Sequence, residues 1–212
     1  MDQKTTITRA YNFELRAENN EKNGDHIIGR PIVYNSMTDL GYFKEVIEAG
    51  ALDKTNLKDV RFLVNHNTDM IPLARSRNNN ENSTMQMEVD KDGMAIRVNL
   101  DTENNSDARN LYSAIKRGDI SGMSFMFTID KEEWEDLDTD LPTRRIKSIA
   151  QVLEVSAVTF PAYESTEISA RDKEALESAK LVLESAKRQS LESDNKAKEL
   201  ELAKAKNRNF FN

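Results

Sequence analysis

"RGDISGMSFMFTID", residues 117–130, decides the fold class: after a polar start that holds Gly118, large apolar residues recur at every second position. The alternation puts Met123, Phe125, Phe127 and Ile129 on one face and Gly122, Ser124, Met126 and Thr128 on the other, the period of a strand and not of a helix. The same period recurs outward through residues 26–163, in "HIIGRPIVY" (26–34), "VRFLVNH" (60–66), "MAIRVNL" (94–100) and "AQVLEVSAVTF" (150–160). Branched and aromatic residues dominate these runs, which implies a β-rich domain. Asn/Asp/Gly clusters separate them, and "DTENNSD" (101–107) leads into "ARNLYSAIKRGD" (108–119), whose spacing predicts a short helix ending at Gly118. Helices decorate the sheet without alternating regularly with strands, so a doubly wound α/β fold is disfavoured and α+β is expected.

Past about residue 165 the composition changes. Residues 166–206 contain no Gly or Pro and are built mainly from Ala, Leu, Glu, Lys and Ser, a helix-forming set. Leu176, Ala179, Leu183 and Ala186 fall at heptad spacing, Ser190 and Ser193 interrupt the seam, and Ala197 and Leu200 resume it. Two readings remain open: a solvated helix steadied by pairs such as Glu184 with Arg188, or a helix that binds a partner. The expected organisation is a flexible N-terminal arm (1–25), one domain (26–171) and a charged helical tail (172–212).

Composition excludes several chemistries. The 212 residues contain no cysteine, which removes disulfides, thiolate nucleophiles and Cys-based zinc sites. A formal net charge of -7, with basic residues scattered among acids, argues against nucleic-acid binding. Neither a signal peptide nor an apolar run of membrane-spanning length is present, so a soluble, cytoplasmic protein without membrane partners is expected.

With two histidines in the chain, His-dependent chemistry must use one of them. His26 follows "KNGD" at a strand start, where an exposed histidine is ordinary. His66 ends "VRFLVNH", with Phe62 and Val64 on its face and the polar loop "NTDM" after it. An imidazole there is either oriented towards a substrate or simply satisfied by a loop carbonyl. Ser124 projects from a well-packed strand away from the aromatic face; it is either a nucleophile awaiting a base or a small residue where strands approach closely. In "QVLEVSAVTFPAY" (151–163), alternation assigns Val152, Glu154, Ser156 and Val158 to one face. A glutamate in so apolar a strand is costly to bury unless paired; the other reading is an edge strand with Glu154 in water. There is no GxGxxG, GxxxxGK[ST] or HExxH, "GMSFM" lacks the second glycine of a GxSxG elbow, and no metal or cofactor has a motif.

Together these segments resemble the prohead (capsid-maturation) serine proteases of tailed bacteriophages, whose fold is related to the herpesvirus assemblins. The resemblance runs in order through residues 26–171: "GRPIVYNSMTDLGYFKEVIEAGAL", "VRFLVNHNTDMIPLARSRN", "KDGMAIRVNL", "GDISGMSFMF" and "VLEVSAVTFPAYESTEISAR". It implies His66 as base and Ser124 as nucleophile. Assemblins use a second histidine as third member; the similar position here is Glu154, and His26 precedes both other candidates. Many relatives have glycine where this chain has Met126.

The resemblance further implies a mostly antiparallel, assemblin-like β-barrel flanked by a few helices. Its implied activity is a cofactor-free serine endopeptidase that cleaves the scaffolding portion of the major capsid protein, and itself, inside the assembling prohead in the host cytoplasm, with a homodimer as one means of control. A helical tail would then join the scaffold and later be removed. The rival readings are a catalytically inactive capsid scaffolding protein of the same fold and a hydrolase of small esters.

Overall fold

The computed structural model describes residues 6–11, 15–20, 24–160 and 172–189. Its strands are β1 (Thr6–Tyr11), β2 (Leu15–Asn20), β3 (Gly24–Val33), β4 (Thr38–Asp39), β5 (Lys44–Ile47), β6 (Asp59–Val64), β7 (Ala74–Arg77), β8 (Met85–Asp90), β9 (Gly93–Asn99), β10 (Gly122–Glu135) and β11 (Thr143–Val158). One helix, α1 (Ser106–Arg117), precedes β10, and a second helix covers 172–189. The architecture is α+β and mostly strand, and no described helix is long and apolar enough to cross a membrane.

The expected helix start and stop have physical causes. Asn105 Oδ1 accepts from the backbone N–H groups of Asp107 and Ala108 at 2.9 and 3.2 Å, satisfying two donors that the first turn leaves open. Gly118, at φ 82°, ends the helix in the left-handed conformation that glycine adopts without strain.

The strands form two sheets, and among the described residues no closed barrel results. The smaller sheet runs β2-β3-β9-β8; the larger runs β1-β10-β11-β5-β4, with β6 joining β11 to β7. Where closure would need β7 to pair with β8, side-chain hydroxyls take up the backbone donors instead: Arg75 N donates to Thr84 Oγ1 and Arg77 N to Ser83 Oγ, both at 2.9 Å. Pairing is also less uniformly antiparallel than expected. The 16-residue β11 runs antiparallel to β10 but parallel to β5 at its start and to β6 at its end.

β1 and β2 fall within the stretch expected to be a flexible arm. Ile7 and Arg9 are buried, and β1 pairs with β10 over its whole length. The core between the sheets takes Ile27, Ile32, Met94 and Ile96 from one side and Phe125, Phe127, Ile149 and Val155 from the other. His26, expected to be exposed, is 2% exposed; its Nδ1 lies 3.0 Å from Gly24 O. In the second helix Leu176 is buried, whereas Leu181 and Val182 face out, and Glu184 and Arg188 pair at 3.8 Å. The remainder of the expected tail, 190–212, lies outside the described residues.

Candidate active site

The site is built on β11. The β10–β11 ladder shifts register several times along its length, and at the last shift along β11 Met126 opposes Glu154 while Phe127 opposes Val152, so Leu153 is an extra, bulged residue. The bulge corrects the simple alternation: Val152 joins Val155 and Phe127 in the core, while Glu154 and Ser156 stay on the face opposite it. β11 is flanked here by β10 and β6, so Glu154 is not on an edge strand in water; it is 3% exposed.

Both Glu154 oxygens are satisfied. His66 Nδ1 lies 2.5 Å from Oε1, and the Ser156 hydroxyl donates to Oε2 at 2.6 Å. A carboxylate can only accept, so the imidazole proton sits on Nδ1 and Nε2 is left as the basic nitrogen. No hydrogen bond among the described residues occupies Nε2. The imidazole is 22% exposed, so one side meets the buried carboxylate and the other reaches solvent.

The loop that presents His66 is held in an unusual shape. Asn65 and His66 have φ of 50° and 57°, consecutive left-handed residues without a glycine, a conformation that surrounding contacts must enforce. Asn65 N donates to Ala157 O at 2.9 Å, Asn65 Nδ2 to Thr159 Oγ1 at 3.1 Å, and Thr159 N returns a bond to Asn65 Oδ1 at 2.9 Å. His66 N donates to Ser156 Oγ at 3.2 Å, so Ser156 touches both the histidine backbone and the carboxylate. Sequence reasoning missed Asn65, Ser156 and Thr159. Their signal lay in adjacency: all sit in the "NH" and "EVSAVT" blocks.

Ser124 stands one strand further on. It opposes Ser156 across the β10–β11 ladder, so the two side chains share a face. The described structure brings His66 and Glu154 into contact but does not join Ser124 to them: Ser124 is fully buried, and its hydroxyl donates to Arg9 O on β1 at 2.8 Å.

The described site is thus a histidine hydrogen-bonded to a buried carboxylate on β11, with Ser124 on the neighbouring β10. Residues 11–180 match the family model of caudovirus prohead serine proteases, and the chain belongs to that family. Over 114 residues it is 32% identical to the prohead protease of enterobacteria phage HK97, an alignment covering 53% of this chain and 45% of that protein's length. The bacteriophage T4 capsid assembly protease has a solved structure to which this chain is similar with a TM-score of 0.39 and 14% identity, covering 73% of this chain and 99% of that one.

Proposed function

We propose that the protein is a serine endopeptidase of phage capsid assembly that cuts the scaffolding portion of the major capsid protein inside the prohead, in the host cytoplasm, and also cuts itself. The observation that carries this reading is the His66–Glu154–Ser156 arrangement facing the Ser124 strand, in a chain of the prohead protease family. His66 Nε2 takes the proton of Ser124 Oγ as that oxygen attacks the scissile carbonyl, and returns it to the leaving amine; water then releases the acyl group by the same route. Glu154 fixes the tautomer and stabilises the imidazolium. The presence of His66, Ser124 and Glu154 together in their expected blocks weighs against an inactive scaffolding protein.

Residues 172–212 act as a scaffold-like segment removed on maturation. Since Asp172 and Leu176 are buried against the body, deletion of 190–212 is the milder test of that role. Loss of protease copies from proheads is the expected result, and unchanged packaging overturns it.

Co-expression with the cognate capsid protein tests the central reading. Wild type is expected to shorten both proteins by mass, and Ser124→Ala to leave both uncut. Identical uncut masses in the two cultures defeat the protease assignment.

A further inference from the structure

Beside Ser124 the outer edge of β10 is already occupied. β1 pairs with it antiparallel from Thr6 opposite Thr128 to Tyr11 opposite Met123, and Ala10 faces Ser124. The Ser124 hydroxyl gives its one proton to Arg9 O, so the oxygen is parked on a peptide carbonyl oxygen and is not bonded to His66. The side chains of β1 divide between two faces. Thr8 is exposed and Ala10 half-buried on the Ser124 side, while Ile7 and Arg9 are buried on the other. An extended peptide reaching Ser124 would lie along this same edge, because adding a strand satisfies the backbone of both partners.

We propose that this edge of β10 is the docking site for an extended polypeptide substrate, and that β1 is a built-in occupant which must leave before Ser124 can act. The inference rests on the reading of Ser124 as nucleophile. What fastens the occupant is visible in its one arginine. Arg9 Nε and Nη2 donate to the two oxygens of Glu45 at 2.6 and 2.8 Å, and Nη2 also donates to Asp172 Oδ1 at 3.0 Å. Arg144 Nη1 meets the same Asp172 oxygen at 2.9 Å. Burial opposes the charge on Arg9, but the Glu45 and Asp172 carboxylates outweigh it and raise its pKa above the ordinary arginine value. The clamp therefore does not open by losing the arginine proton. It opens by losing a carboxylate, and Asp172 belongs to the helix 172–189, so detaching that helix loosens β1.

The test uses the full chain and an alkyl fluorophosphonate, which a serine oxygen attacks at phosphorus with loss of fluoride. Labelling of Ser124 is followed by mass in wild type, Asp172→Asn and Ala10→Pro, the last removing an amide donor from β1. Both variants are expected to label faster, Ala10→Pro by about tenfold or more, because reaction through an opened state tracks its population. Adding the peptide TITRAY, the sequence of residues 6–11, should slow the variants again. Hydrogen exchange supplies the control: residues 6–11 lose protection while α1 keeps it. If β1 is released and Ser124 labels no faster than in wild type, the occupant proposal is overturned and the nucleophile assignment stands. If Ser124 labels in no form even with β1 released, both fail together.

Discussion

Two carboxylates are buried in the same large sheet, and they have different partners. Glu154 meets an imidazole that is partly open to solvent; Glu45 meets the guanidinium groups of Arg9 and Arg144, which are both buried. The desolvation cost is similar in kind, because each carboxylate needs full hydrogen bonding to be tolerated inside. The first arrangement can move a proton, whereas the second can only hold strands and helix together. Burial of a charge alone therefore does not mark a candidate site; an imidazole partner, a group able to take and return a proton, does.

Neutralising each carboxylate without changing its size separates the two arrangements. Glu154→Gln should leave the fold largely intact and lower peptidase or labelling activity by up to ~10⁴-fold, since an amide can donate to Nδ1 and hold the wrong tautomer. Glu45→Gln should instead lower stability by about 3–5 kcal/mol, by leaving buried arginines short of a partner, and is read by denaturant unfolding. Equal activity losses at equal stability would erase the distinction.

A smaller effect is expected at Ser156. Ser156→Ala removes a donor to Glu154 and an acceptor for His66 N, for a cost of about 1–3 kcal/mol. Activity should fall with it, and the pH profile should shift if the serine orients the pair; a stability loss with an unchanged profile would make it a packing residue.

The smallest effect belongs to an exposed pair, Asp59 with Arg75, whose hydrogen bonds hold the aspartate pKa below its ordinary value. A depressed folded pKa means the stabilisation is complete above roughly pH 4 and disappears as pH falls through the folded value. Asp59→Asn should flatten that acid limb, and cost a few tenths of a kcal/mol at neutral pH, as exposed ion pairs do.

Much of this was legible because it is local. The period-two runs gave the strands, Asn105 and Gly118 bracket α1, and the expense of burying Glu154 pointed to a partner, which proved to be His66. What stayed hidden depends on distant pairing. Alternation reads straight through the bulge at Leu153, since only the register of β10 against β11 reveals the extra residue. Arg9 and Asp172 are 163 positions apart, and each looks like an ordinary solvated charge until the sheet and the second helix bring them together. The roles of Asn65, Ser156 and Thr159 required the left-handed loop, which no spacing announces.

The most direct measurement is the site of covalent attack. Ser156 Oγ is bonded to both His66 N and Glu154, whereas Ser124 Oγ is bonded to Arg9 O, so Ser156 is the serine that touches the His66–Glu154 pair and is the rival nucleophile. After fluorophosphonate labelling of the β1-released chain, peptide mass mapping is predicted to place the adduct on Ser124. An adduct on Ser156, with Ser124 unmodified, would contradict the account.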